Sequence, residues 1–294
     1  MVHKPTPVPN RLSFSTAFST AFTTAFTSGL VSRHCLARSV DAIVQRSIAL
    51  LYPPTCVLCG APGEDDRDLC AGCRDDLPSL GACCPRCAQP FAPSRDINMT
   101  RTALSLANPA PQPLCGNCQR QSPPFERCLA AFRYEDPLPW LVAGIKFRSK
   151  LNLIRLLGEL LADAIQTDAE RGNRPLPQAL VPVPLHPRRL RARGYNQALE
   201  LARILSRRMA VPLLPQCCQR TRATQAQSEL DERHRHLNIR GAFEAIGPIP
   251  PHIALIDDVM TTGATVSELS RVMTEAGCHR VEIWALARTP SDND

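Results

Sequence analysis

The chain has 294 residues, of which 44% are hydrophobic and 21% charged, a balance that suits an ordinary globular protein. No apolar run approaches the ~20 residues needed to span a bilayer. A formal net charge of +7 rests almost wholly on arginine, Lys4, Lys146 and Lys150 being the only lysines. Arginine's planar fork suits phosphate, carboxylate or nucleic acid, while a GC-rich coding bias, which also enriches Ala and Pro, accounts for the same excess.

In chain order, residues 1–45 come first as a low-complexity tail in which FSTAFSTAFTTAF repeats every four residues and no acid precedes Asp41. The missing acids fit a transit peptide, and the repeat fits a disordered tail, which is the reading preferred here. DAIVQRSIALLYP (41–53) has helical spacing. Ten of the fourteen cysteines then fall between Cys56 and Cys128. Eight pair as CxxC: Cys56/Cys59, Cys70/Cys73, Cys84/Cys87 and Cys115/Cys118. Each CxxC presents two thiolates on one tight turn, and two such turns close a tetrahedral zinc site, a pattern of reducing compartments. Sequential pairing gives two sites; interleaved pairing fits the spacing as well, and Cys83 competes with Cys84 as a ligand. The metals are structural, since four thiolates leave no open position. Residues 46–124 are thus expected to form a ribbon module, with 91–113 as an inserted loop. Cys35, Cys128, Cys217, Cys218 and Cys278 have no partner at metal spacing and read as buried or neutral thiols.

From Phe125 the texture changes. Strands are expected over CLAAFRYED, ALVPVPL (179–185), VPLLP, IALID (253–257) and RVEIWALAR (280–288). Helices are expected over PLPWLVAGIKF, 151–165, GYNQALELARILSRRM (194–209) and TVSELSRVMTEAG. This alternation implies a mainly parallel α/β sheet over 125–294, with functional loops at the strands' carboxyl ends.

IALIDDVMTTGATVSEL (253–269) runs an apolar strand into two adjacent acids and a hydroxyl-rich turn. Thr265 and Glu268 match a capping box, so a helix is expected to begin at Thr265. The N–H groups of turn and helix tip suit a phosphate monoester, and Asp257 and Asp258 suit hydroxyls or a cation. Together they describe a ribose 5-phosphate site. Walker A and dinucleotide fingerprints are absent from the chain. VPVPLHPRRLRARGYNQ (181–197) brings Arg188, Arg189, Arg191 and Arg193 to another strand's end, where they are able to grip a pyrophosphate. The polar segment 220–243 suits a mobile lid.

LIDDVMTTGAT resembles the phosphoribosyl-pyrophosphate (PRPP) motif of type I phosphoribosyltransferases. That likeness implies ribose contacts from Asp257 and Asp258 and a 5′-phosphate cradle from Thr261, Thr262, Gly263, Ala264 and Thr265. With the knuckles, CLAAFRYEDPLPWLVAGIKF, PVPLHPRRLRARGYNQ and RTRATQAQ…NIRGAF, the chain from about residue 50 resembles the ComF family of competence-associated phosphoribosyltransferase-like proteins. The family's marked positions fall on Arg189, Arg193, Gly194, Asn196, Gln197, Thr224, Gln227, Arg235 and Asn238. The resemblance implies a cytoplasmic PRPP-binding transferase (a glycosyltransferase releasing pyrophosphate) that uses Mg²⁺ and serves DNA uptake in natural transformation. Its alternatives are a single-stranded DNA-binding competence factor, working with other competence proteins, and a PRPP-sensing regulator.

Overall fold

The computed structural model describes residues 53–91, 113–147, 150–222 and 239–290. The tail, the helix expected over 41–53 and most of the loop after Phe91 lie outside the described residues.

Two short helices belong to the cysteine region, α1 (Ala71–Asp75) and α2 (Gly116–Arg120). The sheet begins with β1 (Arg127–Arg133), followed by α3 (Leu138–Phe147), α4 (Leu151–Gly172) and β2 (Ala179–Pro182). Next come α5 (Pro187–Arg193), α6 (Gln197–Met209) and a hairpin of β3 (Cys218–Arg220) and β4 (Phe243–Ala245). The chain closes with β5 (His252–Met260), α7 (Ala264–Glu275) and β6 (Arg280–Arg288). Four strands form one parallel sheet in the order β1-β6-β5-β2, as the alternation of elements predicts.

Burial on both faces explains why these strands read as continuous apolar runs. Alternate side chains enter different cores. Leu180, Ala254, Ile256, Trp284 and Leu286 join α3, α4, α6 and the first pair of knuckles through Cys56, Leu69 and Leu77. Ala179, Val181, Ile253, Leu255, Ile283 and Ala285 join α7, the hairpin and the second pair through Cys84, Cys87, Cys115 and Cys118. Arg67 ties the first pair to α4 through Glu159 (3.2 Å) and Asp163 (2.6 Å). Each face of the sheet therefore carries one ribbon half.

Local differences from expectation have local causes. VPLLP makes only an isolated bridge, Leu213 to Leu180, because Pro212 and Pro215 lack the N–H that a ladder needs. Residues 194–196 are not helical: Gly194 ends α5 with φ 82°, and Asn196 caps α6 by accepting from the Ala198 N–H (3.1 Å). β5 does not stop at Asp257 but pairs with β6 through Met260. Among the described residues, no helix is long and apolar enough to cross a membrane.

Candidate functional site

Because β5 continues through both acids, its alternation separates them. Asp257 follows Ile253 and Leu255 onto the face that holds α7, and it lines an open hollow with Val259, Thr261, Gly263 and Thr265. Asp258 follows Ala254 and Ile256 onto the face that holds α3, where its Oδ2 meets Lys146 Nζ at 2.8 Å. Burial pushes the Asp257 carboxyl up from its ordinary 3.8 to about 7. The like charge of Asp258 adds to that rise; the N–H of Asp258, Lys146 and Arg220 oppose it.

Lys146 escaped the sequence reading. The available signal was its rarity, a lysine closing an apolar helix in an arginine-rich chain. Both partners are mostly buried, at 22% and 14% exposed, so breaking the pair leaves a poorly solvated carboxylate. Lys146→Met is expected to cost about 1–3 kcal/mol, and adding Asp258→Asn should recover part of it. Urea unfolding of both single variants and the double variant measures this; additive losses would contradict it.

The turn after β5 is built differently from a capping box. Gly263, at φ 78°, is the N-cap and has no side chain to offer, while the Thr262 hydroxyl accepts from the Ala264 N–H (3.4 Å). A Cβ at Gly263 would come within 2.8 Å of Met260 Cε, the movable end of a flexible side chain, so it is the left-handed conformation that calls for glycine. The Ser267 N–H donates to the carbonyl of the Gly263 cap (2.9 Å), which leaves the Ala264–Val266 amides ahead of that bond at the positive end of the helix. Glu268 does not reach back to Thr265. It accepts instead from Arg271 Nη2 (2.9 Å) and from the Gly241 N–H (2.6 Å). The Arg271 guanidinium holds its carboxyl below the ordinary range. The expected cap is therefore a latch between α7 and the chain that enters β4.

The arginine loop leaves the strand next to β5, where the Val183 N–H donates to the Ile256 carbonyl (3.0 Å). His186 caps α5, its Nδ1 accepting from the Arg188 N–H (3.2 Å). Arg189 and Arg193 are half-buried, whereas Arg188, Leu190 and Arg191 are exposed. Arg193 donates to Gln197 Oε1 (3.0 Å), and Asn196 Nδ2 donates to the Val183 carbonyl at the end of β2 (2.9 Å). Gly194, Asn196 and Gln197 thus shape the loop rather than offering charge. Arg220, also unforeseen, lies 5.5 Å over the Phe243 ring. Burial lowers its guanidinium to about 10, Arg189 lowers it further, and Asp257 opposes. Thr224, Gln227, Arg235 and Asn238 lie outside the described residues. Their segment is framed by the β3–β4 stem, which the Thr221 N–H extends by donating to the Ala242 carbonyl (2.9 Å).

The cysteine pairs resolve sequentially. Cys56, Cys59, Cys70 and Cys73 form one quartet and Cys84, Cys87, Cys115 and Cys118 the other, with ligand atoms all within 4.8 Å of one another. Cys84, not Cys83, is the member of its quartet. Four thiolates around zinc at about 2.3 Å would stand about 3.8 Å apart. Observed separations are 3.7 Å for Cys59–Cys70 and 3.5 Å for Cys87–Cys115, so both quartets fit the ion. Without it they resist full ionisation: burial pushes Cys87 up to about 12, and neighbouring thiols push Cys73 up. Burial also raises Cys56, but the N–H groups of Cys70, Cys59 and Leu58 outweigh it and bring it down to about 6. Cys128, Cys217, Cys218 and Cys278 are buried single thiols as expected.

A family model described as a double zinc ribbon domain matches residues 47–119. The chain is 36% identical over 179 residues to Competence protein F of Haemophilus influenzae, covering 59% of this chain and 78% of that protein. It is 31% identical over 242 residues to DNA utilization protein YhgH of Escherichia coli K12, covering 82% and 99%. Competence protein ComFC of Bacillus subtilis is 26% identical over 258 residues, covering 84% and 90%. Fold and site together define a zinc-ribbon-bearing parallel α/β protein with an acid pair leading into a strand–turn–helix hollow. The chain belongs to the ComF family.

Proposed function

We propose that this chain binds PRPP and transfers its phosphoribosyl group, in a role connected with competence and DNA uptake. The observation that carries the reading is one hollow lined by Asp257, Thr261, Gly263 and Thr265. Ionised Asp257 accepts hydrogen bonds from the ribose hydroxyls, while the amides and hydroxyls from Thr261 to Thr265 hold the 5′-phosphate. Asp258, fixed by Lys146, supports the diol side from the opposite layer. Arg189 and Arg193, with Arg188 at the rim, bind the pyrophosphate. Mg²⁺ would arrive with the pyrophosphate of the ligand, whose oxygens suit it. In the reaction, the bond from the anomeric carbon to the pyrophosphate oxygen breaks and an acceptor atom bonds to that carbon. Positive charge developing on the ribose is stabilised by the carboxylates and charge on the leaving group by the arginines, to which Mg²⁺ bound with the pyrophosphate would add. The likeness of LIDDVMTTGAT to the PRPP motif supports the ligand, and relatives named for competence and DNA utilization support the cellular role.

The exposed Arg188 and Arg191 favour a second reading, contact with single-stranded DNA. The readings separate in one assay, PRPP and Mg²⁺ with and without single-stranded DNA. Pyrophosphate release that needs an added base or nucleic acid supports transfer. Tight binding without release supports a sensor, and salt-sensitive DNA binding indifferent to PRPP supports the DNA reading alone. In calorimetry, Arg189→Ala with Arg193→Ala should weaken PRPP about tenfold more than ribose 5-phosphate. Equal losses would remove the pyrophosphate assignment.

A further inference from the structure

Arg288, the last residue of β6, is only 6% exposed. Its acceptors are main-chain carbonyls from two places that no sequence motif connects. Nε donates to the carbonyl of Cys87 (3.1 Å), a member of the second cysteine quartet. Nη1 donates to the carbonyls of Met260 (3.1 Å), Thr261 and Thr289 (2.7 Å). One planar guanidinium therefore joins a zinc knuckle to the first residues of the turn that lines the Asp257 hollow. The carbonyl of Cys87 is set by the knuckle's own geometry: the Ala88 N–H donates to Cys84 (2.8 Å), the Cys84 N–H donates to Gln89 (2.9 Å), and Ala88 sits at φ 57°. On the turn side, Met260 also receives the Thr289 N–H (3.0 Å) and touches Cys128 Sγ through its sulfur (3.4 Å). The second quartet shares a core with Met260, Ala264 and Val266, whereas the first quartet lies in the other core with α3 and α4.

We propose that Arg288 is a positioning residue that makes the shape of the 260–263 turn depend on zinc in the second quartet but not in the first. Zinc fixes the Cys84–Ala88 loop and hence the carbonyl that orients the guanidinium plane; the same plane holds the Met260 and Thr261 carbonyls. When the knuckle loosens, a buried cation loses part of its solvation by carbonyls and must relocate, releasing the turn. Coupling of this kind is reciprocal, so loss of the guanidinium fork also loosens the knuckle. The proposal concerns the turn read above as a phosphate cradle but is independent of what ligand it takes.

The test is hydrogen exchange on the full zinc-loaded chain, comparing Cys118→Ser, which removes a ligand of the second site, with Cys73→Ser, which removes one of the first. Peptides spanning 259–268 should exchange about tenfold faster in Cys118→Ser and unchanged in Cys73→Ser, with α6 peptides protected in both. Wild-type protection of the turn in Cys118→Ser overturns the proposal, as does equal loosening in both variants. Should Cys118→Ser fail to fold, shown by lost α6 protection, Arg288→Lys in the Cys73→Ser background decides. An ammonium cannot span both carbonyl groups, so the remaining zinc should pass to a chelator about tenfold faster than from Cys73→Ser alone. An unchanged rate refutes the coupling. No arm contains PRPP, so the result stands apart from the binding test above.

Discussion

Replacing Asp257 by asparagine is expected to abolish PRPP binding and yet make the protein more stable at neutral pH. On the proposed reading, the binding loss follows from removing the carboxylate that would accept from the ribose hydroxyls. The stability gain follows from linkage. Burial, with Asp258 alongside, raises the folded-state carboxyl from 3.8 to about 7. Between these values the folded state keeps a proton that the unfolded chain has released, so stability falls as pH rises through that window and is level above it. Full linkage over this window would be ~4 kcal/mol, which the partial exposure of Asp257 screens; asparagine escapes the penalty, recovering on the order of 2 kcal/mol at pH 8 and nothing below pH 4. For a protein of this size that is a rise in Tm of roughly 4–8 °C at pH 8. Thermal melts at both pH values, together with calorimetry, test the two halves. Retained PRPP affinity would remove the ribose assignment, and a less stable variant at pH 8 would remove the buried-acid account. The same ionisation predicts that wild-type affinity for PRPP improves as pH rises through about 7.

Metal removal carries the other large effect. Metal analysis should return two zinc ions per chain, falling to one in either Cys73→Ser or Cys118→Ser. Among the described residues the ribbon region has little else to hold it: its buried apolar side chains before β1, cysteines and alanine aside, are Leu69, Leu77 and Phe125. Structural zinc contributes about 10 kcal/mol or more in small domains that fold around it. Even a fraction of that transmitted to the sheet lowers Tm by about 10 °C or more. Scanning calorimetry before and after chelation measures the drop, and a metal-free protein with an unchanged transition would defeat the zinc reading.

Much of this architecture is legible in the letters, for identifiable reasons. Alternating apolar runs and amphipathic stretches fix the parallel sheet, since each element is long and its period unambiguous. The CxxC repeats fix the ligand set but not its pairing, because the order in which knuckles meet is decided by which face of the sheet each half covers. Thr265 and Glu268 satisfied a local rule and were overruled by tertiary contacts: Arg271 and the Gly241 amide take the glutamate. VPLLP met the apolar criterion for a strand and failed on its two prolines. Lys146, Arg220 and Arg288 act through partners far away in sequence, which no local pattern encodes. Asp257 and Asp258 were visible as a pair, but their division between the two layers needed the strand to continue to Met260.

That division has a consequence for how this chain tolerates change in length. Deleting or adding one residue between His252 and Asp257 would exchange the two carboxylates, sending the Lys146 partner toward α7 and the acid that lines the hollow toward α3. Indels that arise during divergence must therefore settle outside this stretch, and aligned relatives that share the lysine should show a fixed count of positions from the strand's start to its acids.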